Sequence, residues 1–169
     1  TDQAGNELFN APITQDHIDN GVPVETMSPG DGQPVEITAT LTDPAGNESP
    51  EGTDAAVIDE TAPAAPVVVI TEDANDDALI SGDELGAPTV EALVTTPGSD
   101  IGDRLIATDQ TGAEIFNDLV TQDILDNGVE VNAATQAEGA DVVVTATLTA
   151  PAGNVSAPGP DLATIDTTA

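Results

Sequence analysis

The chain has 169 residues with 32 aspartates and glutamates against one basic side chain, Arg104, giving a formal net charge of −31. That charge excludes nucleic acid and anionic membrane as partners. No cysteine is present and aromatic residues make up 1%, so disulfides, thiolate metal sites and tyrosine- or tryptophan-based recognition faces are excluded as well. Hydrophobic residues at 38%, gathered in β-branched runs, separate the chain from disordered acidic polymers. None of these runs reaches the length of a membrane span, and no direct membrane insertion is expected.

In chain order, the first 62 residues set the theme. TDQAGNELFN (1–10) is answered by TDQTGAEIFN (108–117), ITQDHIDNGVPV (13–24) by VTQDILDNGVEV (120–131), and EITATLTDPAGN (36–47) by VVTATLTAPAGN (143–154), always at a step of about 107 residues. A period of that length is a whole domain rather than a solenoid unit. The expected organisation is the C-terminal part of one repeat at 1–62 and a complete repeat at 63–169. In the partial repeat Val35, Ile37, Ala39 and Leu41 are expected inside, and His17, whose counterpart is the apolar Ile124, reads as a turn residue. Phe9 and its counterpart Phe116 read as core. The linker, 59–66, is stiffened by Pro63 and Pro66.

The complete repeat alternates Val/Ile/Thr stretches with Gly, Pro, Asn and Asp clusters, an all-β pattern. Seven strands are predicted, over 66–71, 89–95, 103–108, 113–117, 128–132, 141–149 and 154–165. Along 141–149, Val142, Val144, Ala146 and Leu148 share one face, and Val143, Thr145, Thr147 and Thr149 the other, the period of a half-buried strand. Between strands, 121–128 predicts one helical turn capped by Thr121, with Ile124 and Leu125 inward and Gly128 at positive φ. The AGN triplets at 45–47 and 152–154 predict hairpin turns.

One segment carries recognisable chemistry. DANDDALISGDE (73–84) places Asp73, Asn75 and Asp77 at positions one, three and five of a loop, the Leu79 carbonyl at seven, Ser81 at nine and Glu84 at twelve. This is the spacing by which a tight loop turns alternate oxygens toward a calcium ion and closes the shell with a bidentate carboxylate. Ile80 is the apolar anchor at position eight. Ala78 stands at position six where glycine is expected, so the turn there must be strained or reshaped. A second acidic set joins Asp59 and Asp166 of the linkers with Asp100 and Asp103 of PGSDIGD (97–103), near the junctions of repeats. Catalysis finds no footing: a lone histidine, no cysteine and no nucleophile elbow leave no triad, and no enzyme is expected.

VITEDANDDALISGDEL (69–85), the TQD and DNG elements, TATLTDPAGN and the ID-x-TA linker together resemble the calcium-dependent bacterial immunoglobulin-like extender repeats of giant RTX adhesins. The resemblance covers the whole chain. It implies an immunoglobulin-like Greek-key β-sandwich in tandem repeats, with calcium held by Asp73, Asn75, Asp77 and Glu84 and junction ligands at Asp59 and Asp166. It also implies a secreted spacer that holds a distal binding domain away from the bacterial surface, with calcium ions and neighbouring repeats as partners. Two rivals are a fibre or surface-layer subunit, self-associating through the partial repeat, and a glycan- or ice-binding module using the Thr145, Thr147, Thr149 row.

Overall fold

A computed structural model describes residues 1–86 and 88–168. The chain divides into two compact units, Thr1–Glu60 and Thr61–Ala169. Unit 1 holds a short helix, α1 (Gln15–Asn20), and two antiparallel strands, β1 (Pro34–Ala39) and β2 (Gly52–Val57). Unit 2 holds β3 (Val67–Ile70), β4 (Leu79–Ser81), β5 (Thr89–Thr95), β6 (Arg104–Asp109), β7 (Glu114–Leu119), α2 (Gln122–Asn127), β8 (Val129–Ala134), β9 (Asp141–Thr149) and β10 (Gly159–Asp166).

Unit 2 is an all-β sandwich. One sheet has the order β3-β5-β8 and the other β4-β10-β9-β6-β7. The chain changes sheet between β5 and β6, between β7 and β8, and between β8 and β9, the Greek-key pattern of an immunoglobulin-like sandwich. The first strand is split: β3 lies antiparallel to β5, whereas β4 crosses to the other sheet and runs parallel to β10. Between the sheets Val68, Ile70, Val90, Val94, Leu105 and Leu148 form the centre of one core. The alternation along β9 is as expected, with Val142, Val144, Ala146 and Leu148 all fully buried.

Two differences from the sequence reading concern strands. Among its described residues unit 2 has eight strands rather than seven, because β4 lies inside the acidic segment, where three residues are too few for a periodicity to show. β10 begins at Gly159 rather than 154. Pro158 and Pro160 lack the N–H that an unbroken ladder needs. Ser156 bridges the interval, its N–H donating to the Leu148 carbonyl at 2.9 Å and its hydroxyl accepting the Leu148 N–H at 2.9 Å.

Unit 1 corrects a larger expectation. None of its residues is buried: Val35 and Ile37 are half-buried, Ala39 is exposed, and Leu41 is 61% exposed. Phe9 is 39% exposed, edge-on to His17 at 5.4 Å between centroids, while its counterpart Phe116 is half-buried against the unit 2 core. The reason is topological. The face of β9 is covered by β3 and β5, and unit 1 contains no counterpart of residues 63–107.

Candidate functional site

Register sorts the loops of unit 2 into two poles. Val67 pairs with Thr95 and Arg104 with Thr149, so loop 96–103 shares the arrival pole with α2 and the β9–β10 turn. At the opposite, departure pole β10 ends beside β4 and beside the start of β9, with Thr164 opposite both Leu79 and Asp141. Segment 73–84 and Asp166 therefore share the departure pole, with Asp166 in register opposite Ser81. Asp100 and Asp103 stand at the arrival pole. Of this second set, then, unit 2 separates Asp166 from Asp100 and Asp103.

The acidic segment folds on its own backbone. Asp73 accepts the N–H of Asp77 at 3.1 Å and of Ala78 at 2.8 Å, one on each carboxylate oxygen. The Asn75 Oδ1 also accepts the Asp77 N–H at 3.1 Å, while the Asn75 amide donates to Asp77 at 3.0 Å. Asp77 in turn accepts the Leu79 N–H at 3.0 Å. Asp73, Asn75 and Asp77 are thus drawn into one small turn, as the one-three-five spacing requires. Ile80 is fully buried and anchors the segment in the core. Glu84 accepts from the Ser81 N–H at 3.0 Å and the Ser81 hydroxyl at 2.8 Å, bonds that lower its pKa below the usual carboxylate value.

Ala78 takes the left-handed conformation, φ 64°, that position six demands. For a residue with a Cβ this costs about 1–2 kcal/mol. Its neighbours hold it there: the Ala78 N–H is bound by Asp73, and its carbonyl accepts the Thr164 N–H at 2.9 Å as β10 closes on the loop. The expected glycine is replaced, and Ala78, like Asp76 at φ 57°, holds a left-handed conformation at the cost of strain.

The donor chemistry fits a hard divalent cation: Asp73, Asn75, Asp77, the Leu79 carbonyl, Ser81 and Glu84 offer only oxygens, the set that calcium prefers. Their arrangement is less complete. Glu84 binds Ser81 and also accepts the Ala74 N–H beside Asp73, and among the described residues no three acidic side chains are grouped closely enough to share an ion. At the arrival pole Asp103 is 3% exposed, and its carboxylate accepts the Asp100 N–H at 3.0 Å, closing its own loop.

Several acids escaped the sequence reading. Glu138, in the β8–β9 loop, binds the residues that leave β10: it accepts from the Thr167 N–H at 2.9 Å, the Thr167 hydroxyl at 2.7 Å and the Thr168 hydroxyl at 2.8 Å. These bonds, the Thr167 hydroxyl first, lower its pKa to about 2. Asp31 repeats the device in unit 1, accepting the Glu60 N–H at 2.6 Å. Asp161 projects from β10 into the cleft between sheets and accepts the Ile70 N–H of β3 at 2.7 Å. The signal was available: Asp31 and Glu138 are acidic at the same repeat position, and Asp54 and Asp161 are aspartates amid apolar inward residues.

No family model and no curated protein matches the chain. Solved structures do. One, described as a Ca2+-stabilized adhesin that helps an Antarctic bacterium reach out and bind ice, is 24% identical with a TM-score of 0.46, over 80% of this chain and 32% of that one. Another, from work on host cell surface retention of a 1.5-MDa bacterial ice-binding adhesin, is 23% identical with a TM-score of 0.44, over 80% of this chain and 42% of the other. A BSP domain of a biofilm-associated protein is 18% identical with a TM-score of 0.35, over 82% and 20%. The chain spans less than half the length of each.

Proposed function

We propose that the chain is part of the extender region of a bacterial surface adhesin, a non-catalytic, secreted spacer whose repeats are folded and stiffened by calcium. The observation that carries this reading is the acidic loop: an all-oxygen set at one-three-five-seven-nine-twelve spacing, anchored by a buried Ile80 and closed by β10 at the end of the repeat. Residues 1–62 are then the later part of one repeat and 63–169 a whole one. Calcium would be held by Asp73, Asn75, Asp77, the Leu79 carbonyl, Ser81 and Glu84, and its charge would offset the self-repulsion of a chain at −31. The junction carboxylates of this reading are Asp166 at the departure pole, Asp100 at the arrival pole and Asp59 at the Asp166 position of the preceding repeat, whereas Asp103, buried and bound to the Asp100 N–H, supports its own loop.

Strands of about eight residues at about 3.3 Å each give a repeat roughly 30–45 Å of reach with its turns, so repetition converts chain length into distance. Calcium at 10 mM on a site of ~0.1–1 mM affinity adds about 1.4–2.7 kcal/mol to unit 2. The expected outcome is a rise in melting temperature of about 5–20 °C over EDTA, absent with matched sodium chloride and mostly lost in Asp73→Ala. Equal melting curves in calcium and EDTA would end the proposal.

A further inference from the structure

We propose that Asp161 is a positioning residue for the acidic loop: by accepting the Ile70 N–H it fixes the loop's entry to β10, the strand that also fixes its exit, and so holds Asp73, Asn75 and Asp77 ready for a divalent cation. The inference rests on the calcium reading of 73–84 and goes beyond it by assigning a task to a carboxylate outside that segment.

The entry depends on a donor that the fold leaves over. Ile70 ends β3, three residues before Asp73, and β3 is an edge strand bonded on one side to β5. The Thr71 N–H donates to the Glu91 carbonyl of β5 at 2.9 Å. Because N–H groups alternate in direction along a strand, that of Ile70 faces away from β5. Ile70 is 2% exposed, so water does not reach this donor, and a buried N–H needs a partner. Asp161 supplies it from the other sheet, one carboxylate oxygen accepting the Ile70 N–H at 2.7 Å and the other the Leu162 N–H at 2.9 Å. With both oxygens engaged, the carboxylate is fixed in direction.

The exit is held by the same strand. The Thr164 N–H donates to the Ala78 carbonyl at 2.9 Å, and Leu79, Ile80 and Ser81 then run parallel to Thr164, Ile165 and Asp166. Entry and exit are therefore pinned at Asp161 and Thr164, about 10 Å apart along β10. Between these pins the Asp73 carboxylate meets the Asp77 and Ala78 N–H groups. The exit bonds are backbone and persist through any side-chain change, whereas the entry's hold on β10 rests on the Asp161 side chain. A group that restrains a metal loop from outside its ligand set reduces the freedom lost on binding, and its removal lowers metal affinity about 10–100-fold.

Calorimetric calcium titrations of the full chain, wild type and two variants of equal charge, test this. Asp161→Asn keeps an acceptor for the Ile70 N–H and Asp161→Ala keeps none, so their difference reads the hydrogen bond apart from electrostatics. The expected result is a Kd raised about tenfold in Asp161→Ala and less than about threefold in Asp161→Asn. Melting in EDTA shows that each variant is folded. Linkage makes the effect reciprocal, so in the wild-type chain, with no variant needed, calcium should slow amide exchange of Ile70 about tenfold more than that of Val144. Equal affinities in the two variants, or equal slowing at Ile70 and Val144, overturns the proposal. Wild-type binding that is lost in Asp73→Ala and indifferent to Asp161→Ala ends this inference alone, whereas a wild-type chain without saturable calcium binding ends it together with the calcium reading.

Discussion

Units 1 and 2 make the same local hydrogen bonds around opposite interiors. Gly32 donates to the Ile58 carbonyl at 2.8 Å as Gly139 donates to Ile165 at 2.8 Å. The Ser49 hydroxyl accepts the Leu41 N–H at 2.9 Å as Ser156 accepts that of Leu148 at 2.9 Å. In α1 and α2 the same Gln-to-Asp bonds recur at 2.9 Å. Yet Leu148 is fully buried and Leu41 is 61% exposed. Turns, caps and strand register are therefore local products of these residues, reproduced without a core. Burial belongs to the second sheet, which only unit 2 has. Since most helical and strand stability comes from packing, unit 1 keeps the geometry and lacks the main stabilising term.

The comparison is sharpest for the paired leucines. Leu148→Ala removes a fully buried side chain and should cost about 3–5 kcal/mol in urea unfolding, whereas Leu41→Ala should stay within about 0.5 kcal/mol. A comparable cost at both positions would mean that something covers the unit 1 face in solution. Ala78→Gly has no counterpart in unit 1 and should relieve a left-handed residue, raising unit 2 stability by about 1 kcal/mol in the same assay. A loss of stability there would show that Ala78 is not strained.

The smallest effects concern acids shared by the two units. Asp2 caps the first turn of unit 1, chiefly through the Asn6 amide and backbone, and its pKa is lowered to about 2. Asp109, its counterpart, is lowered too, with the Thr111 hydroxyl as the main cause. Glu138 is lowered to about 2 by its hold on Thr167 and Thr168. Because each folded value lies below the unfolded one, the stabilisation is complete above roughly pH 4.5 and is lost as pH falls toward 2. Carboxyl titration by NMR should give midpoints near 2 for Asp2 and Glu138, with Thr167 amide protection fading over that window. A Glu138 midpoint near 4.5 would dissolve the clasp on the departing linker.

The repeat, the β class, the alternation along 141–149, the capped turn at 121–128 and the spacing of the acidic segment were all legible in the residues. They depend on neighbours close in sequence or on self-similarity at long range. The helical turn shows this well: Thr121 accepts the Ile124 N–H and Gly128 has φ 73°, as its sequence requires. Three features escaped because they depend on which strands meet in space. β4 exists only because β10 runs beside it, the Asp161 bond only because β3 crosses above it, and the incomplete burial of Val35, Ile37, Ala39 and Leu41 only because no sheet lies over them.

What the amino-acid order determined by itself is the set of local shapes: turns, caps, alternating faces and the tight turn of the acidic segment, each specified within a few residues. Tertiary structure alone decided which alternating face is dry, which acid meets which backbone N–H, and which pole each loop occupies. Burial and cross-sheet hydrogen bonds need two segments at one place, and a strand's own sequence says which side is apolar without supplying the surface that covers it.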